Sequence, residues 1–171
     1  MRRQQRHALV AICFALVLGI FVLGQLRHEQ AAWPAPLTQF APSTIQRIDL
    51  QCRSCVHQRF ERVDGVWWMH EPSEQRADVK RVDRLLAIAQ ASVRSRKPLA
   101  GLELSKLGLQ PPQATLTLDT TRIAIGGFDS INGDRYVRIN DEVSIALVPD
   151  RFSPYLFAAP DTGNKAATQK P

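Results

Sequence analysis

"VHQRFERVDGVWWMHEP", residues 56–72, decides the fold. The Asp64-Gly65 pair in its middle tolerates positive φ at both central positions of a two-residue type I′ turn, so the flanking runs read as the strands of a β-hairpin. That turn sets Val63 opposite Val66, Arg62 opposite Trp67 and Phe60 opposite Met69. Side chains alternate along a strand, so Val56, Phe60, Trp67 and Met69 share one face, which is the core face. Trp68 projects from the other face beside Val63 and Val66, as a second packed layer or as an exposed platform.

Immediately upstream, "TIQRIDLQC" at 44–52 alternates, with Ile48 and Leu50 on one face and Arg47, Asp49 and Gln51 on the other. A two-residue turn at Arg53-Ser54 would set Cys52 against Cys55, but it would put Ile48 and Leu50 on the face opposite Val56 and Phe60. A three-residue connection, with Cys52 against Val56 and Ile48 against Phe60, restores one common apolar face. One cysteine then belongs to the loop.

Downstream, Val79, Val82, Leu86, Ala89 and Val93 step by three and four, which predicts a helix capped by Asp78, with Lys80, Arg81, Asp83, Arg84 and Gln90 on its solvated face. "RSRK" at 94–97 falls where that helix should end, and cations there complement the macrodipole. "KPLAGLELSKLGLQPPQ", 97–113, reads as a connection with one helical turn around 104–107. Four strands follow by alternation: "ATLTLD", "RIAIG", "DRYVRIN" and "VSIALV". Leu116 and Leu118 are expected against Ile123 and Ile125, and a second hairpin turns near Asn140, Asp141 and Glu142. "GGFDSINGD", 126–134, joins two strands without opening a helix, so it reads as a loop and not as a phosphate cradle. A short helix through Phe152, Tyr155 and Leu156 should cover an edge. The fold class is α+β: an antiparallel sheet of about seven strands with one main packed helix, over residues 45–158.

The N-terminus sets the location. Residues 8–26, "ALVAICFALVLGIFVLGQL", hold no charged residue, and as a helix rising about 1.5 Å per residue they reach roughly 30 Å, a bilayer core. An uncleaved signal anchor is expected, since no small-residue cleavage site follows. Arg2, Arg3 and Arg6 precede the span and only Arg27 follows closely, which places residues 1–7 in the cytoplasm and the rest outside. Given a Gram-negative source, outside means the periplasm, with the chain single-pass in the bacterial inner membrane and the lipid bilayer as its first partner. Residues 27–44, with three prolines, read as a linker, and 159–171 as a disordered tail. The formal charge is +6; without the three leading arginines, 19 basic residues stand against 16 acidic ones, too even and too scattered to point to nucleic acid.

The residues that could carry chemistry are Cys52, Cys55, His57 and His70. Haem attachment needs a histidine directly after the second cysteine, and Val56 intervenes. A thioredoxin-type dithiol needs a helix N-terminus at the first thiol, and the context here is strand. Zinc would draw on all four residues, with the two histidines offset along the hairpin. The remaining reading is a local Cys52–Cys55 disulfide, whose small ring would stabilise the fold by about 2 kcal/mol. Cys13 lies in the apolar run as a small apolar residue. No serine elbow, H-E-x-x-H or P-loop occurs, and Asp141-Glu142 read as solvated turn formers, so no catalytic residue, cofactor site or committed metal site is expected.

The order "DGVWWMHEP", "AD" opening a helix with an "RLL" core, "LGLQPP", "IGG", "RYVRI" and "VSIALV" resembles the DUF4340 domain, a bacterial family of unknown function, over roughly residues 45–150. Members of that family are usually larger membrane-anchored proteins, some encoded beside ABC-type transporters of the gliding-associated kind. The resemblance therefore implies an envelope accessory role with a membrane or envelope protein as partner. This chain departs from it in being short and in carrying Cys52 and Cys55. The expected function is a non-enzymatic interaction module using a sheet edge or the Trp67-Trp68 hairpin as contact surface. The alternative is a thiol-redox or metal-binding protein centred on Cys52 and Cys55.

Overall fold

A computed structural model describes residues 35–157. The readings of residues 1–7 and 8–26, and of the tail at 159–171, lie outside the described residues. Among the described residues no helix is long and apolar enough to cross a membrane.

The core of the fold is a mostly antiparallel sheet with one main helix, α+β in class, and it has nine strands. In chain order these are β1 (Arg47–Cys52), β2 (Gln58–Val63), β3 (Val66–Glu71), β4 (Gln75–Arg76), β5 (Ser95–Pro98), β6 (Ala114–Leu118), β7 (Thr121–Asp129), β8 (Asp134–Ile139) and β9 (Ser144–Pro149). They line up as β4-β3-β2-β1-β6-β7-β8-β9-β5. Helix α1 (Val79–Ala89) crosses between β4 and β5 in sequence, and the short α2 (Ser153–Leu156) follows β9.

The hairpin reading holds in detail. Asp64 and Gly65 have φ of 49° and 80°, and Phe60 pairs with Met69, Arg62 with Trp67 and Val63 with Val66. The β1–β2 register is the one a shared apolar face requires, with Ile48 opposite Phe60 and Leu50 opposite Gln58. Leu116 pairs with Ile123, while Ile125 stands opposite Ala114 and Leu118 opposite Thr121. Strand β1 then pairs on its other side with β6, Ile48 opposite Leu118 and Leu50 opposite Leu116. One face of the sheet thus carries Ile48, Leu50, Phe60, Met69, Leu116, Leu118, Ile123, Ile125 and Val137, and Val82, Leu85, Leu86 and Ile88 of α1 complete the same buried cluster.

Several details differ from the sequence reading, each for a local reason. The two strands beyond the expected seven, β4 and β5, are short edge strands without apolar alternation, and edges need little burial to form. "RSRK" therefore supplies β5, paired with β9, and not a helix end. Strand β7 continues through Gly126 and Gly127 to Asp129 by an irregularity in its pairing with β8, so only the tip of the "GGFDSINGD" stretch is a turn. Val56 is 48% exposed, because β2 begins only at Gln58, and Gln58 takes its place on the inner face, fully buried. The part of the linker from Pro36 on is packed: Leu37 is buried, its N–H donates to the Ala91 carbonyl, and Thr38 donates through both N–H and hydroxyl to the Ala89 carbonyl.

The periodicity placed Arg81 in solvent and Val79 on the core; the structure reverses both. Asp78 does cap α1, accepting from Lys80 N–H at 3.0 Å. Arg81 is buried with its Nε donating to Gln58 Oε1 at 3.1 Å and its Nη1 donating to the Tyr155 carbonyl. The polar inner-face Gln58 and the Tyr155 carbonyl of α2 are among the acceptors that a buried guanidinium needs. A second buried cation is Arg135. Arg135 donates to Asp150 Oδ2 from Nε at 2.9 Å and pairs with it from Nη2 at 2.8 Å, and its Nη1 donates to Gln113 Oε1 and to the Gly126 carbonyl. Asp150 accepts in turn from the Ser153 N–H and hydroxyl, tying the end of β9 to α2.

The segment between β5 and β6 runs over the sheet at Gly126, where Gly127 N–H donates to the Leu107 carbonyl at 2.7 Å. A Cβ on Gly126 would lie 2.6 Å from Leu107 O and 2.8 Å from Leu109 Cγ. Leu109, which packs at Gly126, is buried without joining the main cluster, as are Ile145 and Leu147 on the β9 face opposite Ala146 and Val148.

Two outcomes check this packing. Gly126→Ala should destabilise the fold by about 1–3 kcal/mol through that clash, read as a lower midpoint in urea unfolding. Asp150→Asn should cost about 3–5 kcal/mol, because it strands the Arg135 guanidinium in the interior, whereas replacing both partners with apolar residues of similar volume should cost much less.

Candidate functional site

The face of the sheet opposite α1 is polar on β1–β3, and His57, His70 and Trp68 of the residues singled out in the sequence stand on it, while Cys52 and Trp67 pack toward the core. At one end, between β1 and β2, Cys52 and Cys55 lie at disulfide-bonding distance with their Cα atoms 5.4 Å apart. Cys52 ends β1, packed against the core cluster, and Cys55 belongs to the turn. Arg53 fixes that turn from both of its ends: its N–H donates to the Gln113 carbonyl at 3.1 Å and its Nη2 to the Pro111 carbonyl at 2.8 Å.

Next along the face is a square of four polar side chains, a histidine and an arginine each set between the same two carboxylates. His57 Nε2 lies 3.0 Å from Asp49 Oδ2 and its Nδ1 lies 2.5 Å from Glu71 Oε2. Arg59 Nε lies 3.2 Å from the same Asp49 oxygen and its Nη1 lies 3.1 Å from Glu71 Oε1. Asp49 and Arg59 meet because they are directly paired in the β1–β2 register. Glu71 joins them through a bulge. Pairing of β2 with β3 shifts between Arg59 and Phe60, so Arg59 faces Glu71 and His70 becomes the extra residue; two successive side chains then leave β3 on one side.

The pairing of Phe60 with Met69, continued without a break, would set His70 opposite Arg59; the bulge moves it one place, and it lies 3.7 Å from Glu61 and 3.8 Å from Glu74. The four residues weighed for zinc thus take separate partners: the cysteines face each other and each histidine faces carboxylates. Among the described residues no three His, Cys, Asp or Glu are grouped to hold a metal ion.

At the far end of the face the hairpin tip forms a shallow concavity of about 660 Å3, lined by Val63, Val66, Trp68, His70, Glu74 and Arg76 with Asp64 at the turn. Trp68, opposite Glu61 on one side and Arg76 on the other, is 40% exposed, and Val63 beside it is 47% exposed. Trp67 is not part of this surface, because the strand period sends it to the inner face, where it packs against the core. Of the two tryptophans named from the sequence, one is core and one is platform.

What the sequence reading missed is this square. Half of it was legible, since the Ile48–Phe60 register places Asp49 opposite Arg59. Glu71 was not, because nothing in "WMHEP" marks a bulge. The Asn132 amide and the Ile131 N–H at the β7–β8 turn hold the exposed Asp129 carboxyl below its ordinary value.

No curated protein and no solved structure matches this chain. A family match does cover residues 67–162, more than half of the chain, and its description reads Domain of unknown function (DUF4340). The matched segment opens at Trp67 inside the hairpin and takes in the rest of β3, α1 and the meander through α2, so it begins later and ends later than the stretch that carried the resemblance. Cys52, Cys55 and His57 precede it. The chain belongs to the DUF4340 family.

Proposed function

We propose that this chain is a non-enzymatic interaction module of the bacterial envelope. In this reading residues 8–26 anchor it in the inner membrane, the sheet domain stands in the periplasm, and a partner protein of an envelope or transport assembly docks on the hairpin tip around Trp68. The observation that carries the reading is the exposed Trp68–Val63 patch in a concave surface. A tryptophan in such a setting is the residue type that most often dominates a protein contact. The rim supports one kind of occupant. Among the described residues that line it, Asp64 and Glu74 stand against the one arginine, Arg76, so an apolar side chain flanked by a basic residue fits the surface best.

A second reading is favoured by one observation, the pairing of Cys52 with Cys55 at a turn held to the Pro111–Gln113 segment. Here the turn is a redox-sensitive element, and thiol exchange is the activity.

The two readings separate in one experiment. A photo-crosslinking residue placed at Trp68 of the full chain in intact membranes should give one defined protein adduct, and the same residue at Ile131, 89% exposed at the β7–β8 tip, should not. Co-purification of that protein should fall roughly thirtyfold in Trp68→Ala, the loss of about 2 kcal/mol typical of a central tryptophan. Replacing Cys52 and Cys55 with serine should leave it nearly intact. Loss of the partner in the cysteine variant with retention in Trp68→Ala would reverse the assignment in favour of the second reading.

A further inference from the structure

On the other side of the sheet, between the second half of α1, the end of β9 and α2, lies a cleft of about 380 Å3, within the size range of small-ligand sites. Its floor rests on the buried Ile88, Val148 and Phe152, its accessible apolar surface comes from Ala87, Ala91 and Pro149 beside Gln90 and Ser92, and its exposed margin carries Arg84, Arg151 and Tyr155. No carboxylate lines it.

The two arginines are the informative residues. Arg94, Arg96 and Arg135 each have a carboxylate partner. Arg84 and Arg151, among the described residues, have none: Arg84 stacks over the Tyr155 ring at 4.5 Å, and the Arg151 side chain makes no ion pair. Nor do they serve the end of α1. The carbonyls there are already taken, those of Ala87 and Ile88 by Gln90 N–H, that of Ala89 by Thr38 and that of Ala91 by Leu37 N–H. Two guanidiniums without counter-charge at the mouth of an apolar cleft complement a molecule with an apolar body and an anionic head. The Arg84 guanidinium carbon lies 4.5 Å from the centre of the Tyr155 ring, a contact that takes up none of its N–H donors in a carboxylate pair.

We propose that this cleft binds a small acyl anion, its chain against Ala87, Ala91, Pro149 and the rim of Phe152 and its carboxylate at Arg84 and Arg151. The size of the cleft and its position between two helices suit one monomeric chain entering by its end, where a bilayer would need a broad surface. The proposal does not rest on the hairpin-tip reading, since it uses a different face and different residues.

The test uses the full chain in phosphatidylcholine nanodiscs with a diazirine-bearing dodecanoate as photoprobe. Irradiation should label peptides that contain residues 84–92 and 148–155. Excess decanoate should displace the label, while decanol and decyltrimethylammonium should not. The Arg84→Gln, Arg151→Gln double variant should label roughly tenfold less, with its unfolding midpoint unchanged, and the Arg84→Lys, Arg151→Lys variant should keep most of the labelling. The proposal fails if the label spreads over the domain, if decanol competes as well as decanoate, or if labelling survives the glutamine variant.

Discussion

Strand β1 is where the fold is decided. It joins two units that are otherwise local: the hairpin-based group β2, β3 and β4 on one side, and the meander β6 to β9 on the other. Because side chains alternate with period two, a slip of one residue on either flank of β1 would turn Ile48 and Leu50 to solvent and bring Asp49 inward. Both ends of the strand are therefore pinned. At its start the Asp119 carboxylate accepts from the N–H groups of Gln46 and Arg47, and the Asp119 N–H donates back to the Arg47 carbonyl. At its end the Arg53 N–H reaches the Gln113 carbonyl, next to the Cys52–Cys55 pair. The two cysteines lie at bonding distance across this same turn, between the two strands whose register the pinning sets.

The elements that the sequence made legible are those whose stability comes from alternation or from turn chemistry. Asp64-Gly65 specified a turn type, and the demand for one apolar face specified the Ile48–Phe60 register across a connection whose length was otherwise open. What escaped was decided by contacts distant in sequence. Gln75–Arg76 and Ser95–Pro98 become strands only because β3 and β9 offer them open edges. Arg81 is buried because Gln58, 23 residues away, points a carbonyl oxygen at it from the inner face. A helical wheel cannot see that partner, so it assigned the arginine to water.

The same limit explains the candidate site. Trp67 and Trp68 are adjacent in sequence, yet the strand period sends one to the core and the other to solvent, so an aromatic pair in the sequence becomes a single exposed ring. The bulge at His70 has the opposite effect. It breaks the period for one residue and turns Glu71 to the outer face, where Asp49, His57 and Arg59 already stand. Exposed ion pairs of this kind contribute little to stability one by one. Their consequence here is positional: the square occupies the outer face between the Cys52–Cys55 turn and the hairpin tip, leaving the apolar patch at the tip bounded by polar groups.

Arginine takes two distinct roles across the domain, and the difference separates architecture from binding surface. Arg81 and Arg135 are buried, and the fold supplies oxygen acceptors to both, because an uncompensated charge in the interior would cost several kcal/mol. Arg84 lies only three residues beyond Arg81 on the same helix, yet it faces the cleft with an aromatic ring and no carboxylate. Water can solvate it there, so stability does not require a partner and none is provided. Where folding demands compensation the chain has built it; at the cleft folding makes no such demand, and the charge remains open to a ligand.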